Sequence, residues 1–134
     1  MAERSENELS KVILDAAYRI HTVLGPGLLE SAYEAVLAHD LSKRGLKITQ
    51  QEPVPIRYDD LEIEVGFRCD IVVEDLVIVE LKSVDRLALV HSKQLLTQLR
   101  LSNRKLGLLI NFGEAHLKDG IQRVSNGLPN EATF

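Results

Sequence analysis

The sequence predicts a mixed α/β fold in which helices flank a central sheet. Three observations carry this reading. Two N-terminal segments place apolar residues three and four apart, the spacing of one helix face. A block of β-branched, partly alternating segments fills the middle of the chain. A further helical stretch then leads into Lys105–Phe112, apolar enough to be a strand buried on both faces. Strands in a block, followed by a helix and a strand, imply a mixed sheet flanked by helices.

The elements follow in order. Ser5 and Glu8 form a capping box that opens a helix over about 6–24. Leu9, Ile13, Ala16, Ile20 and Val23 are its apolar stripe. Gly25-Pro26-Gly27 breaks it, and a second helix is expected over 28–44, ending at Gly45. Leu46–Gln51 and Val54–Tyr58 read as one strand or two short ones. Pro53 and Pro55 cannot donate to a ladder, so this segment belongs at a sheet edge. Asp59-Asp60 is a turn, Leu61–Glu74 a strand bent at Gly66, and Leu76–Lys82 a buried strand. A third helix fits Leu87 to Asn103. Ile121–Val124 is a final edge strand, and a frayed tail is expected from Asn126 onward.

With 134 residues, the chain has the length of one domain, with a core over about 8–125 and a tail over 126–134. Hydrophobic residues make up 45% and charged residues 27%, which excludes a disordered chain. The single cysteine, Cys69, excludes an intrachain disulfide and a Cys-cluster metal site; it reads as a small core residue. Aromatics are only 4%, too few for a surface of base-stacking platforms. No apolar run approaches the ~20 residues of a membrane span. The polar, acidic first residues are unlike a signal peptide, so the expected setting is cytoplasmic or nucleoid-associated, with no membrane partner.

The formal net charge is −4, but it is unevenly spread. Residues 1–67 carry 7 Lys/Arg against 12 Asp/Glu, whereas 68–134 carry 9 against 8. Lys82, Arg86, Lys93, Arg100, Arg104 and Lys105 face only Asp85 in their stretch. That local excess is a candidate anion-facing surface or a solvated helix face. Arg86, Lys93, Arg100 and Arg104 are the candidates for phosphate contact.

The chemistry concentrates in Phe67-Arg68-Cys69-Asp70-Ile71-Val72-Val73 and Val77-Ile78-Val79-Glu80-Leu81-Lys82. Each half sets a carboxylate in a β-branched run, where burial is costly unless a cation or hydrogen bonds receive it. Glu80 and Lys82 are two apart on a strand and share a face. An Asp and a Glu converging beside a Lys suit Mg²⁺ or Mn²⁺ and a water nucleophile. For both carboxylates to share one metal, Val73 must face Val77 across a three-residue loop, Glu74-Asp75-Leu76. A slip of one residue would turn Glu80 to the opposite face.

Asp70 with Glu80-Leu81-Lys82 resembles the signature of the PD-(D/E)xK nuclease superfamily. Gly25-Pro26-Gly27-Leu28-Leu29-Glu30-Ser31-Ala32-Tyr33-Glu34 resembles the defining stretch of the bacterial GxxExxY family within it, with Gly27, Glu30 and Tyr33 at the named positions. His21, Gln94 and Leu106–Phe112 match as well, so the resemblance covers about 8–125. It implies a restriction-endonuclease-like core, in which a helix precedes a three-stranded antiparallel meander followed by a helix and another strand. It implies Asp70 and Glu80 as metal ligands assisted by Glu30, with the Leu81 carbonyl as an extra ligand. Lys82 would be the catalytic lysine, and Gln94 would orient the substrate or the site. On the residues themselves, His21 lies off the apolar stripe and reads as a hydrogen bonder behind the site or between helices rather than a metal ligand, and Tyr33 reads as core packing with its hydroxyl near the site. Related nucleases often carry a Tyr where this chain has Gln98. The expected activity is metal-dependent phosphodiester cleavage, of DNA before RNA, with a homodimer or partner protein enlarging the basic groove.

On the residues alone, blander readings stay open. Glu30 could be an acid favoured by a helix N-terminus. Glu80 and Lys82 could be a surface ion pair. The whole chain could be a nucleic-acid-binding or regulatory module that keeps the fold without turnover, or an oligomeric scaffold.

Overall fold

The computed structural model describes residues 4–128. Two helices come first, α1 (Glu6–Leu24) and α2 (Glu30–Lys43). Three strands follow, β1 (Ile48–Tyr58), β2 (Leu61–Val73) and β3 (Val77–Lys82). Helix α3 (Leu89–Ser102), strand β4 (Leu106–Asn111), a short 3₁₀ turn (Leu117–Gly120) and strand β5 (Ile121–Ser125) complete the elements of the described residues. The five strands lie in sequence order in one sheet. Only β3 and β4 are parallel, joined by the α3 crossover; the other neighbours are antiparallel. This is the mixed sheet flanked by helices that the sequence predicts, with the restriction-endonuclease-like element order.

Local chemistry sets the elements. The Ser5 hydroxyl accepts the Glu8 amide while the Glu8 carboxylate accepts the Ser5 amide, the reciprocal cap that starts α1. Helix α2 starts at Glu30 rather than at 28. The Tyr33 hydroxyl accepts the Leu28 amide at 3.2 Å and donates to the Gly25 carbonyl at 2.5 Å, so Leu28 belongs to the loop. Helix α3 starts at Leu89 rather than Leu87, because the Ala88 amide donates to His91 Nδ1 and Leu87 packs against the core. The two proline-bearing segments run as one edge strand whose register shifts between Val54 and Ile56.

Two apolar layers sandwich the sheet. On one face α1 (Leu9, Ile13, Ile20) and α2 (Leu37, Leu41) bury Ile71, Val79, Leu81 and Leu108. On the other, Leu95 and Leu99 of α3 pack on Cys69, Val72, Ile78 and Leu109. Helix α3 can approach this closely because Gly107 carries no side chain; a Cβ there would collide with Leu95. The expected tail begins later than 126. Asn126 donates to the Lys105 and Arg104 carbonyls and Leu128 is buried; 129–134 lie outside the described residues.

Asn111 fixes the exit of β3. It is fully buried opposite Lys82, accepts the Val84 and Gly113 amides, and donates to the Val84 carbonyl. Replacing it with Leu leaves three backbone groups without partners. The Asn111→Leu variant is expected to lose about 2 kcal/mol or more of stability, read as a lower urea midpoint with an unchanged slope.

Candidate active site

The β2–β3 hairpin has the register that the shared site requires. Val73 faces Val77, Val72 faces Ile78, and Ile71 faces Val79. The loop is Glu74-Asp75-Leu76, carried by left-handed backbone at Glu74 (φ 52°) and Asp75 (φ 60°). Regular pairing then stops, and at the next rung side chains replace the ladder. The Asp70 amide donates to Glu80 Oε1 at 3.1 Å, and the Leu81 amide donates to Asp70 Oδ2 at 2.9 Å. Each carboxylate therefore accepts a backbone N–H of the other strand, and the two meet where the strands part.

Asp70 also lines a cavity of about 520 Å³ with Glu30, Glu34, Gln51 and Ser83. Glu30 stands in the first turn of α2, whose start is held by Tyr33. Tyr33 is in turn stacked flat on Phe112, with ring centroids 4.3 Å apart. The Ser83 hydroxyl donates to the Leu28 carbonyl, tying the segment after Lys82 to the loop before Glu30. Glu30 and Asp70 thus share one cavity, with Glu80 joined to them through Asp70.

Electrostatically the pair lacks positive charge. Glu80 is 9% exposed and has no ion-pair partner within 4 Å among the described residues. Burial, and next the charge of Asp70, push its carboxyl up to about 8 from 4.5, against the Asp70 amide and Lys82, which pull it down. A divalent cation would supply the missing charge. The donors present fit one: two carboxylates and the Leu81 carbonyl are hard oxygen ligands. Among the described residues no three His, Cys, Asp or Glu side chains form a group able to hold a metal. Asp70 and Glu80 are the two acidic side chains that meet, and Glu30 stands on the wall of the cavity that Asp70 lines. Mg²⁺ is commonly held by one or two carboxylates plus waters and substrate phosphates.

Other expected residues are placed differently. Arg104 is not a phosphate contact. Its side chain is 10% exposed, with Nη1 2.7 Å from Glu52 and Nη2 2.7 Å from Asp75, so it ties β1 to the β2–β3 turn. Gln94 does not line the Asp70 cavity. It lines a groove of about 500 Å³ between α3 and the β1–β2 hairpin, with Lys93, Gln98 and Phe67. His21 is bonded to the Glu114 carbonyl through Nε2 and stacks on Phe112, bracing the loop after β4. Arg86, Lys93 and Arg100 are exposed and form no ion pair among the described residues. Cys69 is fully buried against α3, as its alternation implies.

Two residues that the motifs pass over belong to the cavity. Gln51 Nε2 donates to Glu34 Oε1 at 2.7 Å and to Asp70 Oδ1 at 3.3 Å, while Gln50 Nε2 donates to Glu34 Oε2. A regular strand would send Gln50 and Gln51 to opposite faces. The left-handed backbone of Gln51 (φ 53°) lets both reach Glu34. Glu34 was within reach of helical spacing, four residues beyond Glu30. Glutamine carries no signal for a left-handed turn, so Gln51 was not.

The model of the PD-(D/E)XK nuclease superfamily matches residues 7–124. The chain belongs to the PD-(D/E)XK nuclease superfamily. No curated protein and no solved structure matches it. Superfamily membership makes nucleic acid the substrate class and a nuclease the indicated activity, and these nucleases generally depend on a divalent metal. No helix among the described residues is long and apolar enough to cross a membrane.

The raised Glu80 pKa gives the metal-free protein a defined pH dependence. The fold favours the protonated form, so this contribution to stability is full below about 4.5 and is lost as pH rises through about 8. Melting temperature without divalent ions should therefore fall over that window in wild type, and fall less in Glu80→Gln. A divalent ion should raise it most at the alkaline end in wild type and leave Glu80→Gln unmoved.

Proposed function

We propose that this superfamily member is an active, metal-dependent endo- or exonuclease of the GxxExxY type, acting on DNA in preference to RNA with Mg²⁺ or Mn²⁺. The observation that carries the reading is the meeting of Asp70 and Glu80 where β2 and β3 part, with Lys82 two residues beyond on the same strand. Asp70, Glu80 and the Leu81 carbonyl would hold the cation. When bound, it supplies neutralising charge at the phosphate and a more acidic water.

The chain's own groups do the rest. Lys82 presents an ammonium that holds the attacking water and offsets charge developing on the phosphate oxygens. Glu30, on the Asp70 cavity, orients water on the substrate side. Glu34 and Gln51 keep Asp70 from swinging away. Arg86, Lys93 and Arg100 lie along the segment after β3 and on α3, where phosphates of a longer substrate can be met without base-specific contact.

A second reading, binding without turnover, is favoured by Gln98. It occupies the place of the related nucleases' Tyr, and its Oε1 is buried without a hydrogen-bond partner.

Cleavage of labelled single- and double-stranded DNA and RNA, with Mg²⁺, Mn²⁺ or chelator, separates the readings. Turnover should require the metal and fall at least about 100-fold in Glu80→Ala and Lys82→Ala. Metal-independent binding with no cleavage in wild type would support the second. Neutralising Arg86, Lys93 or Arg100 should weaken nucleic-acid binding and flatten its salt dependence. Arg104→Gln should instead lower the melting temperature, because Glu52 and Asp75 lose their partner.

A further inference from the structure

The β1–β2 hairpin runs well past the rest of the sheet. Strand β2 pairs with β3 only through Ile71–Val73, so among the described residues its outer edge from Leu61 to Arg68 has no neighbouring strand. Leu61, Ile63 and Val65 on this arm are 56%, 44% and 42% exposed. The other edge of the arm, on β1, carries Pro53 and Pro55, which block strand addition. The β2 edge carries no proline. An open apolar edge beside a guarded one marks the side on which pairing is tolerated.

We propose that this edge pairs antiparallel with the same edge of a second copy, about a two-fold axis at Val65. Charge selects both the occupant and the register. With the axis at Val65, Glu62 faces the partner's Arg68 on both sides, Glu64 faces the partner's Gly66, and Ile63 faces the partner's Phe67. Such opposite-charge and apolar cross-strand pairs are favourable. Moving the axis to Glu64 sets two Glu64 carboxylates against each other; moving it to Gly66 keeps Glu64 opposite Arg68 but sets Glu62 against Asp70 and Leu61 against Ile71, where β3 already occupies the edge.

The apolar stripe then continues through Phe67, which already packs on the α3-side core. The existing Glu62–Arg57 pair, 3.6 Å apart and exposed on both sides, is easily rearranged. Residues 52–68 carry five acids and two bases, which makes the arm a poor surface for phosphates. A contact confined to one strand and its flanks falls in the small-interface class, so the dimer is reversible.

The test is sedimentation velocity of the full chain over a wide concentration range, independent of any nuclease activity. Wild type should show a monomer–dimer equilibrium. Glu62→Arg and Arg68→Glu, each confirmed folded by circular dichroism, should weaken dimerisation at least about tenfold. The double variant carrying both changes should restore it. A wild type that stays monomeric at the highest concentration overturns the proposal. So does a dimer indifferent to both single changes, or arm variants that alter DNA binding but not self-association.

Discussion

Two carboxylates from adjacent strands are held against each other at the point where backbone pairing ends. Asp70 and Glu80 each take a backbone amide of the opposite strand, which fixes them. Fixing them close together, one of them buried, leaves a surplus of negative charge that only a proton or a cation can relieve. Much of the surrounding architecture maintains this confrontation. The hairpin register sets it, the buried apolar stretches Ile71–Val73 and Leu106–Ile110 on either side of β3 prevent slippage, and the Glu34–Gln51 contact holds Asp70 from the cavity side.

The support is built from polar groups that look incidental in the sequence. Tyr33 stacks on Phe112 and clamps the loop before α2, which places Glu30 at the helix start. Asn111 anchors the chain just beyond Lys82, so the strand bearing the ammonium leaves the sheet in one direction. Arg104 binds Glu52 and Asp75 and so ties the base of the β1–β2 hairpin to the β2–β3 turn. None of these side chains touches a substrate phosphate in the proposed chemistry. Together they decide where the acidic pair, the lysine and the cavity stand.

Much of this is legible in the amino-acid sequence. Element order followed from periodicity, and the start of α1 from Ser5 and Glu8. The Val73–Val77 register followed from parity, because side chains on a strand repeat every two residues and the site tolerates no odd shift. What stayed hidden depends on distant partners. A charge count cannot see that Arg104 is consumed by Glu52 and Asp75, which lie 52 and 29 residues away. Helical spacing put Gln94 on α3 but could not say which groove α3 would present it to. The left-handed backbone at Gln51 is imposed by its contacts, and no residue preference announces it.

The most direct measurement is calorimetric titration of Mg²⁺ and of Mn²⁺ into the metal-free protein at pH 8, for wild type and for Asp70→Ala. The expected result is saturable binding to wild type and none to the variant, with both proteins folded. Equal binding by the two, or no binding to wild type, would contradict the view that Asp70 and Glu80 are brought together to receive a cation.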